Sequence, residues 1–239
     1  MGRMRVFIPG GAGGVGEGIV RAALARGHAA IVPSRSEGKL ATLRKRVERV
    51  DGLITLVGQI GEPEGAEEIR ARVEREIGTL DAIVPSLGGW WEGGRVTDMT
   101  ATEWDDVMNE MLRAHFIVAR TFVPVLERQG FGRYVGIGGG AAYNPIRNAA
   151  PVSIAAAAQV MLTRALRAEI ANPRVGIFEL VADGPVRTRD SQAIAQSDWI
   201  TADDVGRVAL DLVETGKTLE PGTSVSGPIV RMREPRREA

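Results

Sequence analysis

Short apolar runs alternate with longer amphipathic stretches along the whole 239-residue chain. Strand-length runs fall at Arg5–Pro9, Ala29–Pro33, Leu53–Val57, Ala82–Pro85, Arg133–Ile137, Val175–Val181 and Thr223–Val230. Segments such as Val6-Phe7-Ile8 are apolar at successive positions rather than alternate ones, which suits strands covered on both faces. Between the runs, helical patterns occupy Val15–Arg26, Ser36–Val50, Pro63–Ile77, Thr100 to about Arg128, Val152–Ala171 and Thr201–Glu214. Gly27 is placed to end the first helix, and Thr100-Ala-Thr-Glu103 and Thr201-Ala-Asp-Asp204 are capping patterns that open two others. Alternating strands and helices predict an α/β fold of βαβ units: a doubly wound parallel sheet of about seven strands with helices on both faces. No repeat, linker or charge block divides residues 1–239, so a single domain is expected, with a frayed polar tail over 231–239.

Composition removes several alternatives. Thirty basic residues balance thirty acidic ones, so no nucleic-acid surface is expected. No run approaches the roughly 20 apolar residues of a membrane span, and Val6 stands where a myristoylation signal beginning at Gly2 needs Ser or Thr. With zero Cys there is no thiolate nucleophile or Cys-based metal site, and two histidines, His28 and His115, make no zinc cage. The expectation is a cytoplasmic protein without metal. The lysines are Lys39, Lys45 and Lys217. The helix Val152–Ala171 is small or apolar around much of its circumference, which favours close contact on more than one side.

The first strand runs into Pro9-Gly-Gly-Ala-Gly-Gly-Val-Gly16 and then an apolar helix. A glycine turn between strand and helix lets backbone approach a pyrophosphate that faces the helix N-terminus. The spacing Gly10-x-x-x-Gly14-x-Gly16 resembles the short-chain dehydrogenase/reductase superfamily. Further segments extend the likeness over almost the whole chain: Asp81–Gly88, Trp104-Asp-Asp-Val-Met108, Gly130–Ile137 and Asp183-Gly-Pro-Val-Arg-Thr188. The resemblance implies a Rossmann-like fold and a nicotinamide cofactor held by Gly10, Gly14, Val15, Gly16, Gly88 and, at its carboxamide, Thr188. NAD-preferring members carry an acid at the end of the second strand. Here Ser34-Arg35 stands there, and Arg can grip a 2′-phosphate, so NADP is expected. Gln59 and Ile60 fall near the expected adenine site.

Active relatives use a Tyr, a Lys four residues later, a Ser thirteen residues earlier and an Asn on the fourth helix. Matching those positions gives Val152, Ala156, Gly139 and Met111, none of which can transfer a proton. Tyr143 is a weak substitute, and Pro145 breaks the helix that would align it with Arg147. Trp90 and Trp91 lie between glycine pairs after the fourth strand, where open α/β sheets bind ligands. With Tyr143 and Asp183 they are the expected pocket for a small apolar or aromatic ligand. These substitutions lead to the expectation of an NADP(H)-binding protein that has lost carbonyl reduction. It would serve as a scaffold or as the non-catalytic partner of an active paralogue, in a homo- or hetero-oligomer through the helices around 101–128 and 152–171. The alternatives are a cofactor sensor and an enzyme with non-standard residues. That enzyme would be an NADPH-dependent reductase, or a non-redox cyclase, dehydratase or isomerase acting on an aromatic or polyketide-like substrate.

Overall fold

The structure, a computed structural model, describes residues 2–217, 223–226 and 229–233. In chain order the elements begin β1 Arg5–Phe7, α1 Gly14–Ala25, β2 Ala29–Ser34, α2 Glu37–Arg46, β3 Leu53–Val57, α3 Pro63–Glu76 and β4 Ala82–Ile83. They continue with α4 Ala101–Met108, a π-helical turn Asn109–Arg113, α5 Ala114–Gln129, β5 Gly132–Gly139, α6 Ala150–Glu169 and β6 Val175–Asp183. Last come β7 Val186–Arg187, β8 Ile200–Thr201, α7 Ala202–Thr215, β9 Thr223–Ser226 and β10 Ile229–Arg233.

Seven strands pair in parallel in the order β3-β2-β1-β4-β5-β6-β10, and β9 adds an antiparallel edge. The order reverses beside β1, between β2 and β4, and that is where doubly wound sheets bind ligands. One face is covered by α1, α2 and α7, which bury Ile19, Leu40 and Val205 against Val6, Val32 and Leu180. The opposite face carries α3, α5 and α6; Ile69, Ile117 and Phe122 pack there on Phe7, Tyr134 and Ile177. The central strands β1, β2 and β4 are therefore buried on both sides, which explains their unbroken apolar sequence, whereas the edge strand β3 is only half-buried. Helices α1 and α7 touch backbone to backbone, since a Cβ on Gly18 would strike the Ala202 carbonyl and one on Gly206 the Gly18 carbonyl.

Beyond shifts of a residue or two at several strand ends, four differences from the sequence expectation stand out. The seventh strand, expected over Thr223–Val230, is two antiparallel strands, and residues 231–233 belong to β10 instead of a frayed tail. Residues 234–239 of that tail lie outside the described residues. The second helix stops at Arg46, and Ser36 caps its start by accepting from the Lys39 amide at 3.2 Å. The helix expected at Val152 starts at Ala150, with Pro151 in the first turn where its missing N–H costs nothing. The long helix over 100–128 is interrupted by the π turn at Asn109–Arg113, a feature with no residue signature; there the Met111 carbonyl accepts from Gln159 Nε2 of α6 at 2.6 Å.

Candidate active site

The site grows from the β1–α1 turn. Gly10 has φ +82°, and a Cβ there would run into the Ser86 carbonyl three residues beyond β4, so only glycine closes this turn. The loop is stitched by Gly11 N–H to the Ile8 carbonyl at 2.9 Å and Gly13 N–H to the Gly10 carbonyl at 2.8 Å. Gly13 is the N-cap of α1 and no side chain caps that end. The amides of the first helical turn thus face outward as donors for an anion.

Around this turn lies a cleft of about 600 Å³. Six residues expected from the sequence line it: Gly10, Ser34, Arg35, Gln59, Ile60 and Gly88. Gly14, Val15, Gly16 and Thr188 are not among the lining residues. Gly14 is instead pressed by Thr188, whose Cβ lies 2.8 Å from where a glycine Cβ would project, and Gly16 is packed under the Gly10 carbonyl. Their role is to let loop, helix and the segment after β6 approach one another. The cleft also takes in residues that sequence reasoning missed, among them Lys39, Ser86, Asp106 and Glu110. Lys39 had one legible signal, its position three residues beyond the helix cap Ser36. The π turn that carries Glu110 had none. At the rim, Glu62 pairs with Arg113 at 2.8 Å, joining the β3–α3 loop to the π turn.

Behind the cleft, at the positions expected to handle the proton, the side chains are hydrocarbon. Met111 and Val152 form one buried cluster with Val107, Ala149 and Ala155, and Trp91 packs against it. Ala156 is buried on α6. At Gly139, by contrast, a Cβ would meet nothing within 4 Å. Trp90 is 61% exposed. Asp183 presses on Gly140, with Oδ1 2.7 Å from where a Cβ would sit. None of Trp90, Trp91, Tyr143 and Asp183 lines the cleft of about 600 Å³.

Tyr143 is committed elsewhere. Its hydroxyl donates to Glu179 Oε1 at 2.7 Å and accepts from Arg164 Nη2 at 2.9 Å, while Arg231 stacks 3.9 Å from the ring centre. Glu179 is buried in the sheet and also accepts from Arg164 Nε at 3.0 Å. Burial, and then the facing Glu179 carboxylate, push the Tyr143 phenol up, so it holds its proton more firmly than a free tyrosine. His115 is buried on α5 with Nε2 3.0 Å from the Leu87 carbonyl. Burial pushes its pKa down, only partly opposed by that hydrogen bond, so the ring is neutral and donates from Nε2.

A family model described as short chain dehydrogenase matches residues 4–199. A 2,3-dihydro-2,3-dihydroxybenzoate dehydrogenase of Bacillus subtilis is 27% identical over 218 residues, covering 90% of this chain and 81% of the relative. Among solved structures, a short-chain type dehydrogenase/reductase from Mycobacterium ulcerans superposes with TM-score 0.84 at 21% identity, covering 97% of this chain and 89% of the other. A metagenomic short-chain oxidoreductase in complex with NADP gives TM-score 0.79 at 19% identity, covering 97% and 98%. These findings correct the expectation of a protein that has lost carbonyl reduction and serves an active paralogue. The relatives carry dehydrogenase, reductase and oxidoreductase names over nearly the full chain, and they favour the alternative of an enzyme with non-standard residues. The replacements at Met111, Gly139, Val152 and Ala156 bear on one route of proton transfer, and that alone does not exclude hydride chemistry.

Proposed function

The chain belongs to the short-chain dehydrogenase family, and on that premise we propose that it is an NADP(H)-dependent oxidoreductase acting on carbonyl or alcohol substrates. The observation that carries this reading is the charge at the β2 end of the cleft, where Arg35 and Lys39 stand beside Ser34 with no carboxylate at the strand end. Two cations suit a 2′-phosphate, while the glycine turn and the uncapped start of α1 suit a pyrophosphate. When bound, the nicotinamide supplies or accepts the hydride.

Met111, Gly139, Val152 and Ala156 stand, in this reading, at the four family positions that usually handle the proton. The substrate oxygen then exchanges its proton with water admitted over the open backbone at Gly139, not with a phenol. Tyr143 braces Glu179 and Arg164 beneath the site. The apolar cluster of Met111 and Val152, with Trp91 packed against it, replaces the polar groups of the usual reaction site and favours an aromatic or otherwise apolar substrate over a sugar-like one. A second copy of the chain would dock on α5 and α6, where Phe116 and Met161 are 51% and 60% exposed.

Titration with NADPH and NADH, followed by assay of a panel of aromatic and aliphatic ketones and alcohols, tests the proposal. NADPH is expected to bind at least about tenfold tighter than NADH and to support turnover of an apolar substrate. Failure of NADPH to bind overturns it. NADPH binding with turnover by cyclisation, dehydration or isomerisation, without cofactor oxidation, replaces it with a non-redox activity.

A further inference from the structure

The glycine turn is held from outside by a residue that no cofactor motif includes. The peptide joining Ala12 and Gly13 is pinned at both ends. Its N–H donates to the Gly10 carbonyl at 2.8 Å, and its carbonyl accepts from Arg189 Nη2 at 3.0 Å. Both Ala12 and Gly13 line the cofactor cleft. Arg189 belongs to the segment after β6, and its other terminal nitrogen, Nη1, donates to Glu17 Oε2 in the first turn of α1. Glu17 is 6% exposed and also accepts from Arg21 Nη1 at 2.5 Å. One guanidinium fork therefore spans a loop carbonyl and a buried carboxylate, a geometry open to Arg and closed to a point-charge ammonium. The fork is oriented in turn: Arg189 Nε meets Asp190 Oδ1 at 3.2 Å, and Thr188 presses on Gly14.

We propose that Arg189, fixed by Glu17, is a positioning residue that sets the shape of the glycine turn and thereby the affinity for the dinucleotide pyrophosphate. The proposal rests on the NADPH reading above. Holding the loop from the far side leaves the cleft face of the Ala12–Gly13 peptide unobstructed. The segment after β6 and the pyrophosphate-binding turn then act as one body. By reciprocity, cofactor binding protects that segment as much as the segment supports binding.

The test uses Arg189→Gln, Arg189→Lys and Glu17→Gln in the full chain. Arg189→Gln keeps the Glu17–Arg21 pair at the helix start, so it separates positioning from a simple effect of Glu17 on α1. NADPH titration by nicotinamide fluorescence is expected to show about tenfold weaker binding for Arg189→Gln, the size of one lost charge-assisted hydrogen bond. In turnover, KM for NADPH should rise with kcat changed less than about twofold. Arg189→Lys should fall between Gln and wild type, because it meets one partner of two. An Arg189→Gln variant that melts with the wild type and binds NADPH as tightly overturns the proposal.

Tryptic cleavage after Arg187 in the ligand-free chain supplies a readout independent of the cofactor. It should be several-fold faster in Arg189→Gln and in Glu17→Gln. Unchanged cleavage in both sinks the positioning role even if NADPH does not bind at all. Faster cleavage with no NADPH binding by the wild type keeps the tie and rejects the cofactor reading alone.

Discussion

At the β1–α1 and β2–α2 turns the cleft is walled by bare backbone and by the cations Arg35 and Lys39. Beside the π turn and the start of α6, behind the cleft, Met111 and Val152 form a buried apolar cluster with Trp91 packed against it. The two ends answer to different demands. A pyrophosphate requires close backbone approach and free amides, which only a few residue types and one turn geometry supply. A hydride acceptor needs a shaped surface, and its proton can arrive by more than one route. The binding end therefore reads like a fixed part and the reaction end like a replaceable one.

The comparison breaks first if the binding end tolerates change. Gly10→Val puts a branched side chain at φ +82° against the Ser86 carbonyl. It should cost about 4 kcal/mol of stability and abolish NADPH binding, as read by thermal denaturation and titration. Next in size is Arg35→Glu, which removes a phosphate grip and installs a repelling charge. NADPH should weaken on the order of 100-fold while NADH changes little; equal losses for both cofactors would place Arg35 away from the 2′ position.

Between the two ends lies His115, and pH sharpens its role. Its folded pKa is depressed by burial, whereas the unfolded chain titrates near 6.5. Stability contributed by the neutral ring is thus complete above about pH 6.5 and declines as pH falls toward the folded value, by up to about 1.4 kcal/mol per pH unit. Urea melts between about pH 7 and 5 should show that slope, and His115→Gln should flatten it. The smallest effect is expected from Tyr143→Phe. Losing the hydroxyl between Glu179 and Arg164 should cost about 1–2 kcal/mol in stability and leave kcat within about twofold. A drop in kcat of about 100-fold would return Tyr143 to the reaction.

Much of this was legible in the residue order. Strand positions followed from unbroken apolar runs, because burial on both faces leaves no polar alternation to confuse them. Both capping boxes formed as their Thr and acidic residues suggested, with Thr100 accepting from Glu103 N–H at 3.2 Å and Thr201 from Asp204 N–H at 3.0 Å. The place of the glycine turn and of Arg35 on the cleft was legible because both are set by local sequence around β1 and β2. Features made by contacts distant in sequence were not. The Glu17–Arg189 tie joins residues 172 apart, and the two-residue pairing of β7 with β8 has no run long enough to detect. The hydroxyl of Tyr143 turns toward Glu179 and Arg164, which only the packing of α6 on β6 decides. The same absence of local signal misled the functional reading. The residues at the usual proton-transfer positions are visible in a sequence, while the dehydrogenase and oxidoreductase character of the relatives is not.

The central claim is that hydride transfer persists where the usual acid–base side chains do not stand. Single-turnover mixing of the enzyme with C4-deuterated NADPH and an aromatic ketone panel, analysed by mass spectrometry, tests it most directly. The account predicts one deuterium on the carbinol carbon of at least one product, formed at a comparable rate by Tyr143→Phe. Tight binding of NADPH with no deuterium in any product across the panel would contradict it.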